Sequence, residues 1–149
     1  MDDSCSQWNE LKKKLDASET ASTFLPQERE VWMCYMGRNI GYEQNGDRNF
    51  MRPVLIIRKF NRKLFWIVPI TEHQKPLDFY FNFTDPRGKS GAIILAQMKL
   101  MSVKRFVRVM YAFSADEFAH VQGVLVNLLQ SKPRARRGFS TPPKNEGTL

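Results

Sequence analysis

The stretch Arg52-Pro53-Val54-Leu55-Ile56-Ile57-Arg58-Lys59-Phe60-Asn61-Arg62-Lys63-Leu64-Phe65-Trp66-Ile67-Val68-Pro69-Ile70-Thr71 holds two apolar runs on either side of a charged turn. Each run has the length and β-branched content of a strand, and residues 60–63 turn the chain, so the pair reads as a β-hairpin. Neither run is long enough to span a bilayer. Outward from the hairpin the pattern repeats. Upstream, residues 30–36 alternate Val31, Met33 and Tyr35 against Trp32, Cys34 and Met36, so both faces of that strand are largely apolar. Downstream, Phe79, Phe81 and Phe83 alternate with Tyr80 and Asn82, and Asp85-Pro86-Arg87-Gly88 is a turn signal. Residues 92–101 and 106–111 complete five or six strands.

Helical periodicity is confined to the two ends. Trp8, Leu11 and Leu15 fall on one helical face with Lys12, Lys13 and Lys14 between them. A small-polar linker follows, and Pro26 blocks a helix through it. This first helix is expected to cover the core; a contact with another protein is the other reading. Near the other end, Ser114 and Glu117 form a capping box, Phe118, Val121, Leu125 and Leu128 form an apolar stripe, and Pro133 stops the helix. The expected organisation is an N-terminal extension over 1–28, one domain over 29–130, and a disordered basic tail over 131–149. Strands first and a helix last favour a mainly β, α+β architecture with a small, highly curved sheet or barrel.

The chain has 149 residues, 23 Lys+Arg and 15 Asp+Glu, for a net charge of +8. Residues 1–30 are net −3, residues 31–130 net +7 and residues 131–149 net +4, so the basic excess belongs to the core. A polyanion fits this balance, either nucleic acid or an acidic protein segment; simple solubility is the bland alternative. No basic segment precedes an apolar one at the N-terminus, so no signal peptide is expected. Cys5 and Cys34 are too few for a disulfide framework. A cytoplasmic protein with no membrane partner is the expectation.

Familiar catalytic signatures are missing, and His73 and His120 are the only histidines. With two cysteines they make a zinc site improbable, so no metal and no cofactor is expected. An active site would have to draw on Arg, Glu, Thr, Gln or Lys. The long loop over residues 37–51 is the unusual feature. It carries Arg38, Asn39, Tyr42, Glu43, Gln44, Asn45 and Arg48 and leads into Arg52. Such residues can hold phosphates and base edges, and Tyr42 can stack on a base; a plain solvated loop is the alternative. Arg52 could clamp a phosphate and stabilise a pentacoordinate transition state. On pattern alone, a strand-end arginine paired with Glu43 or Asp47 is the simpler reading. Thr71 could orient a phosphoryl oxygen or merely cap a turn, and His73 is a candidate acid or base or an ordinary surface residue.

Set out in order, these residues resemble the MazF/PemK family of toxins from bacterial type II toxin–antitoxin modules. The likeness runs through Glu30-Val31-Trp32, Asn39-Ile40-Gly41-Tyr42-Glu43-Gln44-Asn45-Gly46, Arg52-Pro53-Val54-Leu55-Ile56-Ile57, Val68-Pro69-Ile70-Thr71, Gly91-Ala92-Ile93-Ile94-Leu95-Ala96-Gln97-Met98-Lys99, Lys104-Arg105-Phe106 and the closing amphipathic helix. It implies an SH3-like barrel with appended helices, acting as a homodimer. It implies a metal-independent, sequence-specific endoribonuclease (an mRNA interferase) that cuts single-stranded RNA. There the 2′-OH attacks the adjacent phosphate and leaves a 2′,3′-cyclic phosphate and a 5′-OH. An acidic antitoxin protein would neutralise it. Within this likeness Arg52, Thr71 and Glu43 take the catalytic roles, and Asn39, Tyr42, Gln44, His73, Gln97 and Lys99 are expected at the RNA. Ala96 stands where many members have an acidic residue, Leu95 where some have arginine, and residues 47–51 lengthen the loop. These departures leave room for a non-catalytic nucleic-acid-binding regulator on the same fold. A gyrase-poisoning toxin is the third reading.

Overall fold

A computed structural model describes residues 3–18 and 25–132. Nine elements other than short 3-10 turns make up the described chain. They are α1 (Ser4–Ala17), β1 (Glu30–Tyr35), β2 (Met51–Lys59), β3 (Leu64–Thr71), β4 (Tyr80–Thr84), β5 (Ser90–Ile94), β6 (Lys99–Ser102), β7 (Phe106–Ala112) and α2 (Ala115–Gln130). The disordered basic tail expected over 131–149 lies outside the described residues from 133 onward, as do most residues of the linker before Pro26.

The described strands pair antiparallel throughout, in the order β4-β5-β3-β2-β1-β7, with β6 also on β3. The hairpin is β2–β3, in register Val54 to Pro69 and Leu55 to Val68. Alternation along these strands feeds two cores. Val31, Leu55, Ile57, Val68 and Ile70 point to one, which Phe118 and Val121 of α2 close together with Phe113 just before it. Trp32, Cys34, Met36, Val54, Ile56, Phe65 and Ile67 point to the other, with Met101, Val103 and Phe106. The apolar character of both faces of β1 and β2 is thus explained, since each face has its own core to fill. The sheet is strongly curved and open, with β4 and β7 at its edges. Phe83 of β4 meets Phe113, just before α2, at 5.1 Å.

The expected single strand over 92–101 is two strands, which brings the total to seven. Leu95–Gln97 forms one 3-10 turn between β5 and β6. The break has a physical reason. β5 pairs with the far end of β3, Ile70 and Thr71, whereas β6 pairs with its near end, Leu64 to Ile67. The chain must step from one segment of β3 to another, and this step swings Gln97 out towards the long loop.

Both helices form where their periodicity places them. In α2 the Ser114 Oγ accepts from the Glu117 N–H at 3.2 Å, which satisfies one orphan donor of the first turn. In α1 the low-polarity face is anchored by Trp8, which is buried. α1 therefore docks on the domain through this one side chain. Trp8 lies against Gly37, where φ is +80° and a Cβ would fall inside the indole ring. It also meets Phe50 at 5.6 Å, so one side chain seals both ends of the long loop.

Candidate functional site

The loop over residues 36–50 is densely wired. The N–H groups of Met36 and Gly37 both donate to the Phe50 carbonyl, at 2.7 and 3.1 Å, and close its neck. Inside, Gly46 N–H donates to Gly37 O at 2.9 Å, and Asn39 Nδ2 donates to Gln44 O at 2.7 Å. The Asn39 N–H donates to the Asn45 side chain. The Asn45-Gly46 pair is no ordinary hairpin turn. Gly46 has no positive φ; it is glycine because a Cβ would collide with the Phe50 and Met51 main chain.

Two external ties fix this loop to the sheet. Gln97 spends both ends of its amide on it: Oε1 accepts from Gln44 N–H at 2.7 Å, and Nε2 donates to Tyr42 O at 3.2 Å. On the other flank, Arg52 Nε donates to Asn45 O at 2.6 Å, and its Nη1 donates to Ile70 O at 3.1 Å. The simpler sequence reading of Arg52, an ion pair with Glu43 or Asp47, gives way to this two-carbonyl clamp. Removing the Gln97 amide is expected to loosen the loop. Gln97→Ala should speed amide exchange at Gln44 about fivefold, matching one hydrogen bond of ~1 kcal/mol. Unchanged exchange would mean that the loop holds itself.

The expected site residues separate into two recesses on either side of the loop. The first, a cleft of about 510 Å³, contains Arg52, Thr71 and His73. The β2–β3 register, continued by two residues, sets Arg52 opposite Thr71. Thr71 is buried at the end of β3, and its Oγ1 accepts from the His73 N–H at 3.3 Å. Burial lowers the Arg52 pKa, while Asp47, Glu72 and Tyr80 oppose that shift, so the group stays a cation against the cleft floor. The second recess, of about 380 Å³, contains Asn39, Tyr42, Glu43, Gln44, Gln97 and Lys99. Tyr42 is fully exposed there. Glu43 Oε1 accepts from Ile40 N–H at 3.2 Å, and Glu43 does not line the cleft of Arg52 and Thr71. Burial, then the charge of Arg105, lowers the pKa of Lys99, while Glu43 opposes it.

The cleft also holds groups that sequence reasoning missed, Arg87, Lys89, Arg108 and Tyr111. Arg87 and Lys89 belong to a segment read only as a turn. That turn is built on Asp85, whose carboxylate accepts from the N–H groups of Arg87 and Lys89 and from the Arg87 guanidinium at 2.9 Å. Burial raises the Asp85 pKa, but these donors outweigh it and hold the carboxyl below its ordinary value. The Tyr111 hydroxyl is pushed up to about 12 by burial and by Asp85, with Arg87 opposing, so it remains a donor. The alternation of Arg108 and Met110 on β7 was the one available signal for that wall.

The family of PemK-like, MazF-like toxins of type II toxin–antitoxin systems matches residues 27–129. The chain belongs to that family. MazF from Deinococcus radiodurans (Form-I) has the same fold, with 23% identity and a TM-score of 0.57 over 71% of this chain and 97% of that one. A mycobacterial endoribonuclease in complex with its cognate antitoxin aligns at 13% identity and a TM-score of 0.55, covering 73% of this chain and 100% of that one. The D. radiodurans MazE-MazF complex (Form-II) aligns at 18% identity and a TM-score of 0.53, over 71% of this chain and 96% of that one. No curated protein matches by sequence. α1 lies outside the part of the chain that the PemK-like, MazF-like family covers. Among the described residues, no helix is long and apolar enough to cross a membrane.

Proposed function

We propose that this toxin-family chain is an endoribonuclease that cuts single-stranded RNA without a metal, through the cleft of Arg52, Thr71 and His73. The observation that carries this reading is the Arg52 guanidinium, clamped by two main-chain carbonyls directly beside the buried Thr71. A cation fixed in that way needs no reorganisation when a phosphate gains charge. In the reaction, the ribose 2′-oxygen attacks phosphorus and the P–O5′ bond breaks. The 2′-OH proton passes to a base in the cleft, and O5′ takes a proton as it leaves. The products are a 2′,3′-cyclic phosphate and a 5′-OH end. Arg52 stabilises the phosphorane, Thr71 orients a non-bridging oxygen, and His73 takes the proton. Glu43 acts from the second recess, where it balances Lys99. Bases flanking the cut stack on Tyr42 and meet Asn39, Gln44 and Lys99. Gln97, with both amide ends engaged, positions the loop.

An acidic antitoxin covering these recesses is the proposed protein partner, supported by the toxin–antitoxin complexes among the proteins of like fold. The active species is proposed to be a cytoplasmic homodimer. The test is incubation of the purified protein with a long single-stranded RNA in EDTA, followed by mapping of the ends. Discrete cuts bearing 2′,3′-cyclic phosphate are expected. RNA bound in full but never cut would replace the enzyme by a non-catalytic binding protein.

A further inference from the structure

Outside the two recesses, the described surface carries another concentration of cations. α1 is pinned at two points. Near its start, Trp8 is buried against Gly37 and Phe50, with the Arg105 guanidinium 5.4 Å from its ring. At its end, Lys104 Nζ donates to the Asp16 carbonyl at 2.6 Å. That contact satisfies one orphan carbonyl of the helix terminus and offsets the negative end of its dipole. Between the pins, α1 and the turn after β6 enclose a groove of about 460 Å³, whose walls carry Lys12, Lys13, Lys104 and Arg105 against the single carboxylate of Asp16. Lys13 also meets Glu10 at 3.1 Å, but both side chains are about 70% exposed, so that pair is well screened.

The groove lies one short strand away from the second recess. Ser102 lines the groove and Lys99 lines the recess, at opposite ends of β6. Three residue steps of strand separate them, about 10 Å. Arg105 sits in the groove wall and its charge reaches Lys99.

We propose that the groove between α1 and the turn over residues 102–105 is a second binding site for the phosphodiester backbone of single-stranded RNA, continuing the path that leaves the Lys99 recess. The proposal rests on the ribonuclease reading above and adds a substrate-holding role for a helix outside the family's matched segment. The lining favours a polyphosphate over an acidic polypeptide. Leu15 is its one apolar side chain, whereas protein partners are anchored by buried aromatic and aliphatic groups.

The experiment uses the full chain and its K12Q/K13Q variant, in which both substituted side chains are exposed and the Trp8 anchor is intact. Binding is measured against 8- and 25-nucleotide 2′-O-methyl RNAs, which lack the attacking hydroxyl, across a salt series. Cleavage of an unmodified short RNA is followed in parallel. For the 25-mer, the variant should lose about 1.4 from the slope of log affinity against log salt, and bind about tenfold more weakly at 0.1 M salt. Binding of the 8-mer and cleavage of the short RNA should be unchanged. An unaltered slope and affinity for the 25-mer, with cleavage intact, overturns the groove alone. The length-dependent loss in a protein that never cleaves RNA upholds the groove as a binding site and overturns the catalytic reading instead. A variant that loses affinity for poly-glutamate while keeping the 25-mer assigns the groove to an acidic polypeptide and overturns the proposal.

Discussion

Arg52→Ala is expected to slow RNA cleavage by about a hundredfold to a thousandfold, chiefly in kcat. The magnitude is that of losing one preorganised donor to a developing oxyanion. The guanidinium is half-buried and aimed by its bonds to Asn45 O and Ile70 O, so in the proposed reaction it would act on charge that appears only in the transition state. The same bonds mean that the substitution also touches stability. Two carbonyls lose their donor, at a cost of about 1–2 kcal/mol. Urea unfolding alongside the kinetics separates the two effects, since a folded but inactive protein is the expected result. Arg52→Lys sharpens the test. Lysine keeps the charge but lacks the fork that reaches both carbonyls, so activity should recover only in part. Full activity in Arg52→Ala would remove the residue from the mechanism.

The second large effect is expected in the core. Phe65→Ala should destabilise the protein by about 3–5 kcal/mol in urea unfolding. Phe65 is fully buried on β3, 5.0 Å from Phe106, and packs with Trp32, Cys34, Met36, Val54 and Val103. Methionine 36 opens the long loop and Val103 opens the turn that carries Lys104 and Arg105. The cavity would thus lie beneath both the long loop and the proposed RNA groove. Phe65→Leu refills most of the space and should cost about 1–2 kcal/mol. A loss below 1 kcal/mol for Phe65→Ala would mean that the core collapses freely around the gap.

The two substitutions mark different levels of the same design. Phe65 sets the platform, and Arg52 stands on it in the proposed catalytic cleft. Between them lies a loop whose shape depends on neither alone. Gln97 holds it from one flank, Arg52 from the other, and Trp8 seals its neck.

Much of this was legible in the amino-acid order. Alternation fixed the strands, the Ser114 capping box fixed the start of α2, and the Trp8 stripe fixed α1, because these signals are local and each is read within a few residues. The motifs running from Glu30 to Phe106 carried the family. The family likeness, rather than pattern alone, pointed to Arg52 and Thr71, which the structure places in one cleft. What only the tertiary structure decided are relations between distant residues. The break at Leu95–Gln97 depends on which half of β3 each neighbour pairs with, and no local signal encodes that. The division of the polar residues between two recesses follows from how the loop folds back on Gln97, 53 residues away from Gln44. Arg87, Lys89, Arg108 and Tyr111 join the cleft because sheet curvature brings β7 and the turn before β5 to Arg52. Alternation states which residues face inward; only the folding of the sheet upon distant segments states what they face.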